Sequence, residues 1–436
     1  MRRTLRRLAV IVLIFFLLYA IRDGKEWGIS TEPEKDLEES ALATQGETDS
    51  FLAYNPSFTS AMWVSQFDLA PIFLENGRER DLSDFSLRVE RMMKNIADSG
   101  FNTVFLQARP NGDSFYPSEL FPSSPYATGS IGAPFLYDPF AILVDAAHAE
   151  GLSVHAWINP LRLYTVENEG RITEDYLHTR LCREDSDRAS AVDGVYYLNP
   201  AYPEVRELIA EGAKELLDRY PVDGLHVDDY FYPTTDPSFD DEAYARYGAG
   251  RTRGDFRRES VTALLEELYA VTHAEENGRI FGVSPSGNSE RNYEVLFADV
   301  ADWCLRDGVI DYLCPQIYFG LTHGTHPFEE VAREFCNLTR RDSIRLFFGL
   351  TLAKAYDGYY GRSDPYAGSG SEEWIQNRDV LSRSLLCCQS LSKFDGVGVF
   401  SYRFFFSPED GSPIAATREE REGIIPILVF LTKKIF

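Results

Sequence analysis

From Ala61 onward, short apolar runs alternate with longer stretches in which apolar residues recur every three to four positions. The short runs predict strands at Met62–Gln66, Asn102–Gln107, Ser153–Asn159, Gly224–Asp228, Ile280–Ser284, Tyr312–Tyr318, Leu346–Thr351 and Gly396–Ser401. The periodic stretches predict helices at Leu82–Ser99, Pro139–Glu150, Pro203–Arg219, Phe256–His273, Tyr293–Arg306, Pro327–Thr339 and Glu372–Ser392. Eight strand–helix alternations within about 340 residues predict an α/β fold of the (β/α)8, or TIM, barrel type. The rival is an open doubly wound sheet. It would call for a glycine-rich phosphate turn after the first strand, and the stretch beyond Ser65 carries none.

Polarity alternates within two of the strands. His155, Trp157 and Asn159 share one face of the third, and Val154, Ala156 and Ile158 the other. In the fourth, His226 and Asp228 alternate with Leu225 and Val227. The apolar set belongs against the helices, so the polar set is expected to point into the barrel, with Asn159 and Asp228 at its mouth. The same parity directs Gln107 and Arg109, Ser284 and Ser286, and Gln316 and Tyr318 inward at the ends of the second, fifth and sixth strands. Polar groups stacked there cost stability unless they are hydrogen-bonded, which points to a functional site.

A carboxylate at the fourth strand end can act as nucleophile, electrostatic stabiliser or general acid/base toward an oxocarbenium-like transition state. Asp228 is the leading catalytic candidate, and its neighbour Asp229 is assigned a positioning or pKa-tuning role. Such chemistry needs a second carboxyl group. Asp113, in a loop shaped by Pro110 and Gly112, is the candidate; a turn-stabilising role is equally open for it. Glu119, Asp138, Asp236, Asp240, Asp241 and Glu242 are the alternatives. Candidate substrate-binding residues are Arg109, His155, Trp157, Asn159, His226, Tyr230, Gln316 and Tyr318, with rings for sugar faces and polar groups for hydroxyl, N-acetyl or carboxylate recognition. His155 and His226 with Asp228 leave a metal pair open, but the first strand has no His-x-His, and core histidines that orient Asn159 and Asp228 are the plainer reading. No cofactor is expected, and no Ser-His-Asp elbow, P-loop or nucleotide fingerprint is present.

Charge narrows the partners. Asp and Glu outnumber Lys and Arg by 68 to 43, a net charge of −25, so a nucleic-acid partner would be repelled. At the N-terminus Arg2, Arg3, Arg6 and Arg7 precede an apolar run from Leu8 to Ile21, the layout of a secretory signal. That run is shorter than the roughly 20 residues a membrane span needs, and Leu18 spoils the −3 position of a cleavage site after Ala20. Residues 1–22 are therefore read as a signal peptide or signal-anchor, and residues 23–60, acidic and without apolar periodicity, as a flexible linker. Residues 61–436 form the folded body, expected outside the cytoplasm, secreted or tethered at the cell envelope. The six cysteines lack CxxC spacing, so a structural zinc site is unsupported, and Cys314 in its apolar run is expected to be buried. The apolar run Ile424–Leu431 is expected to pack on the barrel as a closing element.

Six segments in order, Met62-Trp-Val-Ser65, Phe101–Arg109, His155–Pro160, Gly224–Tyr230, Val283–Asn288 and Pro315–Tyr318, together resemble the glycosyl-hydrolase-like family 10 of bacteria across about residues 60–405. The resemblance implies a barrel related to the α-amylase-like glycosidases and, for envelope members, cleavage of glycan strands such as peptide-stripped peptidoglycan. Matched residue by residue, the fourth-strand aspartate of those glycosidases falls on Asp228. Two departures stand out: His226 replaces the usual arginine two residues earlier, and the expected fifth-strand Glu is missing. The resulting expectation is a glycoside hydrolase of an extracytoplasmic polysaccharide. The alternatives are a non-catalytic carbohydrate-binding barrel and a metal-dependent hydrolase built on His155, His226 and Asp228.

Overall fold

The computed structural model describes residues 51–184, 186–228 and 231–433. The predicted signal, most of the linker, and Asp229 and Tyr230 lie outside the described residues. Eight strands, β1 (Thr59–Val64), β2 (Thr103–Arg109), β3 (Ser153–Ile158), β4 (Gly224–Val227), β5 (Ile280–Val283), β6 (Tyr312–Leu313), β7 (Arg345–Thr351) and β8 (Gly396–Phe400), close into a barrel in chain order. All neighbours are parallel, and β8 pairs with β1. The principal helices are α1 (Leu82–Asp98), α2 (Pro139–Ala149), α3 (Pro203–Arg219), α4 (Arg253–Thr272), α5 (Phe328–Leu338), α6 (Val380–Cys388) and α7 (Arg418–Lys433). Their starts follow local chemistry: the Asp81 and Asp138 side chains accept from the N–H groups of Asp84 and Ala141, and Thr252 from that of Asp255.

Two predicted helices are broken. In place of Tyr293–Arg306 stand two short helices, Ser289–Glu294 and Val300–Trp303, separated by Phe297 at φ 50° and restarted by the Asp299 cap. In place of Glu372–Ser392 stand Glu373–Gln376 and α6. The first N–H groups of α6, those of Val380 and Leu381, are taken by the Glu420 carboxylate at 2.8 and 2.9 Å. Glu420 comes from α7, so this break is set by tertiary contact. Ile424 and Leu428 of α7 are buried against the body. No helix among the described residues is long and apolar enough to cross a membrane. Between β3 and α3 lies a three-stranded antiparallel sheet of Arg162–Thr165, Val195–Leu198 and Ala189–Val192, which the strand reading above did not anticipate. Its hairpin turns at Asp193-Gly194, both with positive φ, the residue pair such a tight turn favours.

Aromatic rings and glycines, rather than branched aliphatics, fill the barrel. Phe105 stacks on His226 with centroids 4.2 Å apart, Tyr312 on Phe347 at 4.6 Å, and Trp63 meets Phe105 edge-on at 5.0 Å. The neighbouring strands make room with glycine. A Cβ at Gly282 would lie 2.0 Å from the Tyr312 ring, and one at Gly398 2.6 Å from Trp63. Cys314 is buried in this layer.

Polar atoms at this level are paired in a directed chain. Tyr312 Oη lies 2.9 Å from His155 Nδ1 and 2.8 Å from His226 Nδ1. Burial pushes His155 down to about 3 and His226 well below its usual range, so both rings are neutral. The amide nitrogen of Asn55 donates to the carbonyls of Asp223 and Gly278, which leaves its Oδ1 to accept from His155 Nε2 at 3.0 Å. His155 Nδ1 must then accept the Tyr312 hydroxyl proton. His226 Nδ1 in turn donates to Tyr312 Oη, and His226 Nε2 accepts from Ser284 Oγ at 3.1 Å. Replacing Tyr312 by Phe strands both Nδ1 atoms and is expected to lower stability by about 2–4 kcal/mol in urea unfolding. A loss under about 0.5 kcal/mol would contradict this chain.

Candidate active site

The carboxyl ends of the strands open onto a cavity of about 490 Å³, lined from β1, β2, β3, β4, β6 and β8. Trp63, Trp157, Asn159, Asp228, Gln316, Tyr318 and Phe400 reach it from the barrel, and the turn after β1 adds Gln66 and Phe67. The loop after β2 contributes Asn111, Asp113 and Tyr126, the antiparallel sheet Arg162 and Tyr164, and the helical turn after its first strand Asn168. Among the described lining residues the carboxylates are Asp113 and Asp228, and the cation is Arg162.

Asp228 is held by a relay of amides. The Gln66 backbone N–H donates to Gln107 Oε1 at 2.6 Å, Gln107 Nε2 donates to Asn159 Oδ1 at 2.7 Å, and Asn159 Nδ2 donates to Asp228 Oδ2 at 2.7 Å. Gln107, Asn159 and Asp228 are all buried. An amide accepts only through oxygen and donates only through nitrogen, so the relay runs one way and Oδ2 can only be its final acceptor. Its first member is anchored in turn. Asp68 is fully buried and accepts from the Ser65 N–H and hydroxyl at the end of β1, and from the Arg403 N–H and Ser401 hydroxyl beyond β8. Burial raises the Asp68 carboxyl above its ordinary range against the pull of these bonds.

Asp113 is also buried. Its carboxylate accepts from the Asn111 N–H at 2.9 Å and from the Ser124 hydroxyl. Desolvation pushes its pKa up to about 6, opposed by those bonds and by the Arg109 charge. None of the alternative carboxylates lines the cavity. Asp138 caps α2 and accepts from Tyr220, Asp236 caps the turn at Pro237–Phe239, Asp240 and Asp241 pair with Arg257 and Arg253, and Glu119 and Glu242 are exposed.

Three expected substrate contacts lie elsewhere. The register of β2 against β3 slips between Gln107, which faces Trp157, and Arg109, which faces Ile158. The extra residue, Ala108, reverses the parity and turns Arg109 toward the helices. There its guanidinium packs 4.1 Å over the Phe121 ring and against Gly212 of α3. His155 and His226 point inward but sit below the cavity, closed in by the Tyr312 and Phe105 rings. The metal alternative fares no better. The ring nitrogens of both histidines are committed to Tyr312, Asn55 and Ser284, and no metal-holding group of three His, Cys, Asp or Glu forms among the described residues. Trp157, Asn159, Gln316 and Tyr318 do line the cavity, and Gln316 Nε2 donates to the Ser284 carbonyl at 3.0 Å. Asp229 and Tyr230 lie outside the described residues. The sequence reading missed Gln66, Arg162 and Tyr164; the Asp193-Gly194 hairpin signal could have located the sheet that carries the last two.

A closed parallel barrel whose polar residues gather at the carboxyl ends of its strands is the architecture of the TIM-barrel glycosidases, and solved structures bear out the likeness of fold. The PgaB (BpsB) glycoside hydrolase domain from Bordetella bronchiseptica aligns at TM-score 0.55 with 13% identity, over 85% of this chain and 99% of that one. The catalytic domain of the Paenibacillus polymyxa β-amylase aligns at 0.51 with 10% identity, over 86% and 100%. Sequence is more specific: the chain belongs to the glycosyl hydrolase-like 10 family, whose profile matches residues 63–359. Glycosyl hydrolase YngK of Bacillus subtilis (strain 168) is 31% identical over 316 residues, which span 68% of this chain but 60% of the relative. Glycosyl hydrolase DigH of Escherichia coli (strain K12) is 27% identical over 435 residues, spanning 93% of this chain and 94% of the relative.

The raised pKa of Asp113 has a thermodynamic signature. Its native carboxyl holds a proton more tightly than the unfolded chain does. The stabilisation is therefore complete below about pH 4 and lost as pH rises through about 6. Relative to Asp113→Asn, the wild-type protein is expected to lose roughly 2 kcal/mol of stability between pH 4 and 7, measured by urea unfolding of both across that range. A constant difference would refute the raised value.

Proposed function

We propose that this chain is a glycoside hydrolase that acts outside the cytoplasm on a bacterial polysaccharide, with peptide-stripped peptidoglycan strands as its substrate class and Asp228 as its principal catalytic carboxylate. The observation that carries this reading is the pair of carboxyl groups, Asp113 and Asp228, lining one mouth-side cavity in contrasting settings. Asp228 has Oδ2 fixed as an acceptor by Asn159 and serves as base or nucleophile. Asp113, with its pKa raised to about 6, keeps a proton under mildly acidic conditions and delivers it to the departing glycosidic oxygen. Trp157, Tyr126, Tyr164 and Tyr318 offer faces for sugar rings, while Asn111, Asn168, Gln316 and Arg162 suit hydroxyl, acetamido and carboxylate groups. Asp229, next to the catalytic carboxylate in sequence, keeps its positioning role in this proposal, and Tyr230 its place as a further sugar contact. The basic and apolar N-terminus supports export, with the chain secreted or tethered at the envelope.

A second reading, the carbohydrate-binding barrel without catalysis, is favoured by one observation. The bonds that Asp113 accepts from Asn111 and Ser124 are those of a turn-stabilising carboxylate. Reducing-end release from peptide-stripped peptidoglycan separates the two. Asp228→Asn is expected to lower cleavage at least about a hundredfold with an unchanged melting temperature, and wild-type cleavage to fall as pH rises through about 6. Normal turnover by Asp228→Asn would overturn the assignment. Strand binding without any cleavage by the wild-type protein would support the binding barrel.

A further inference from the structure

Ring contacts do not stop at the cavity wall. Tyr318 and Phe400 line the cavity and lie 6.2 Å apart, centroid to centroid. Phe400 meets Phe404 at 6.3 Å, Phe404 meets Tyr356 at 5.6 Å, Tyr356 meets Tyr360 at 5.1 Å, and Tyr360 meets Tyr359 at 5.2 Å. Beyond Tyr318, Phe400 ends β8, Phe404 sits in the short helix Tyr402–Phe405 that follows it, and Tyr356, Tyr359 and Tyr360 belong to the helix Ala353–Tyr359 and its C-cap just after β7, so the path starts from the strand ends that carry the active-site carboxylates. The inner rings are half-buried, but Tyr359 and Tyr360 are 51% and 56% exposed, and Tyr366 in the same excursion is 83% exposed. Core packing accounts for Phe404 and Tyr356. It does not account for two adjacent tyrosines that spend half their surface on solvent at the end of an aromatic path.

We infer that Tyr359 and Tyr360, backed by Tyr356, form an outer platform that binds further sugar units of a polysaccharide whose scissile linkage lies in the cavity. This rests on the glycoside hydrolase reading above. Continuity with the cavity selects the occupant: a chain entering between Asp113 and Asp228 and leaving past Tyr318 meets a succession of neighbouring rings. A tyrosine offers a flat apolar face to the C–H side of a pyranose and a hydroxyl to its rim. The Arg403 guanidinium over Phe404 sets donors beside the rings for sugar hydroxyls or carboxylates, while the Arg362 guanidinium near Tyr360 is held by Asp357 at 2.7 Å.

The test compares peptide-free peptidoglycan strands sorted by length. In the double variant Tyr359→Ala/Tyr360→Ala, the ratio of kcat/KM for long strands to that for short ones is expected to fall about tenfold. The Tyr359→Phe/Tyr360→Phe variant keeps the rings and is expected to restore most of that ratio. An unchanged ratio in the alanine variant, or loss of activity on long and short strands alike, would overturn the platform. Strand binding by Asp228→Asn, with and without the alanine substitutions, distinguishes this from failure of the hydrolase reading. Length-dependent binding that the alanines abolish, together with a wild-type protein that never cleaves the strands, would uphold the platform and remove the hydrolase. Equal binding of long and short strands would remove the platform alone.

Discussion

Inside a closed parallel barrel water is excluded, so each inward polar group must find a partner among its neighbours. Two directed chains of bonds meet that demand here, while Trp157 Nε1 on the cavity wall has no protein partner among the described residues. In the lower layer Tyr312 joins His155 to His226 and the chain runs from Ser284 down to Asn55. In the upper layer the amides of Gln107 and Asn159 pass a single hydrogen-bond direction from the Gln66 backbone to Asp228. The lower chain ends on the backbone carbonyls that hold Asn55 and makes a packed floor. The upper one ends on a carboxylate at the edge of an open cavity, and that difference separates scaffold from site.

The floor makes the upper layer rigid. Glycines at 282, 349 and 398 let the aromatic rings lie close over neighbouring strand backbones, so the volume beneath Asp228 is filled by flat, mutually stacked groups with little freedom to shift. Asp68 performs a similar service at the rim by tying the end of β1 to the segment beyond β8. A carboxylate intended for chemistry needs its supporting shell fixed by bonds of this kind. The Asp113 side of the cavity is built differently: a loop, a hydroxyl and burial adjust its proton affinity without any contact to the barrel floor.

The strand periodicity located all eight barrel strands and the inward face of β3 and β4, because alternation of polar and apolar residues is a local property. It could not register the slip at Ala108. One inserted residue leaves the composition of β2 unchanged yet turns Arg109 from the mouth to the helix layer. Histidines 155 and 226 illustrate the converse. Parity placed them inside, but depth decides whether an inward residue meets substrate, and depth depends on which rings stack above it. The helix breaks near Phe297 and Asn377 arose from a positive φ and from a carboxylate on a distant helix. Neither leaves a mark in hydrophobic spacing. The cavity's outer wall, with Arg162 and Tyr164, comes from a small sheet inserted between β3 and α3, and its turn residues were its only local sign.

The chain therefore combines a family fold with a cavity whose two carboxyl groups are prepared by different means. The most direct measurement is a crystal structure of Asp228→Asn soaked with a peptide-free glycan strand. The arrangement predicts a sugar ring over Trp157, with a glycosidic oxygen within hydrogen-bond reach of the Asp113 carboxyl and the anomeric carbon facing residue 228. A strand bound without approaching either side chain, or seated on another face of the barrel, would contradict it.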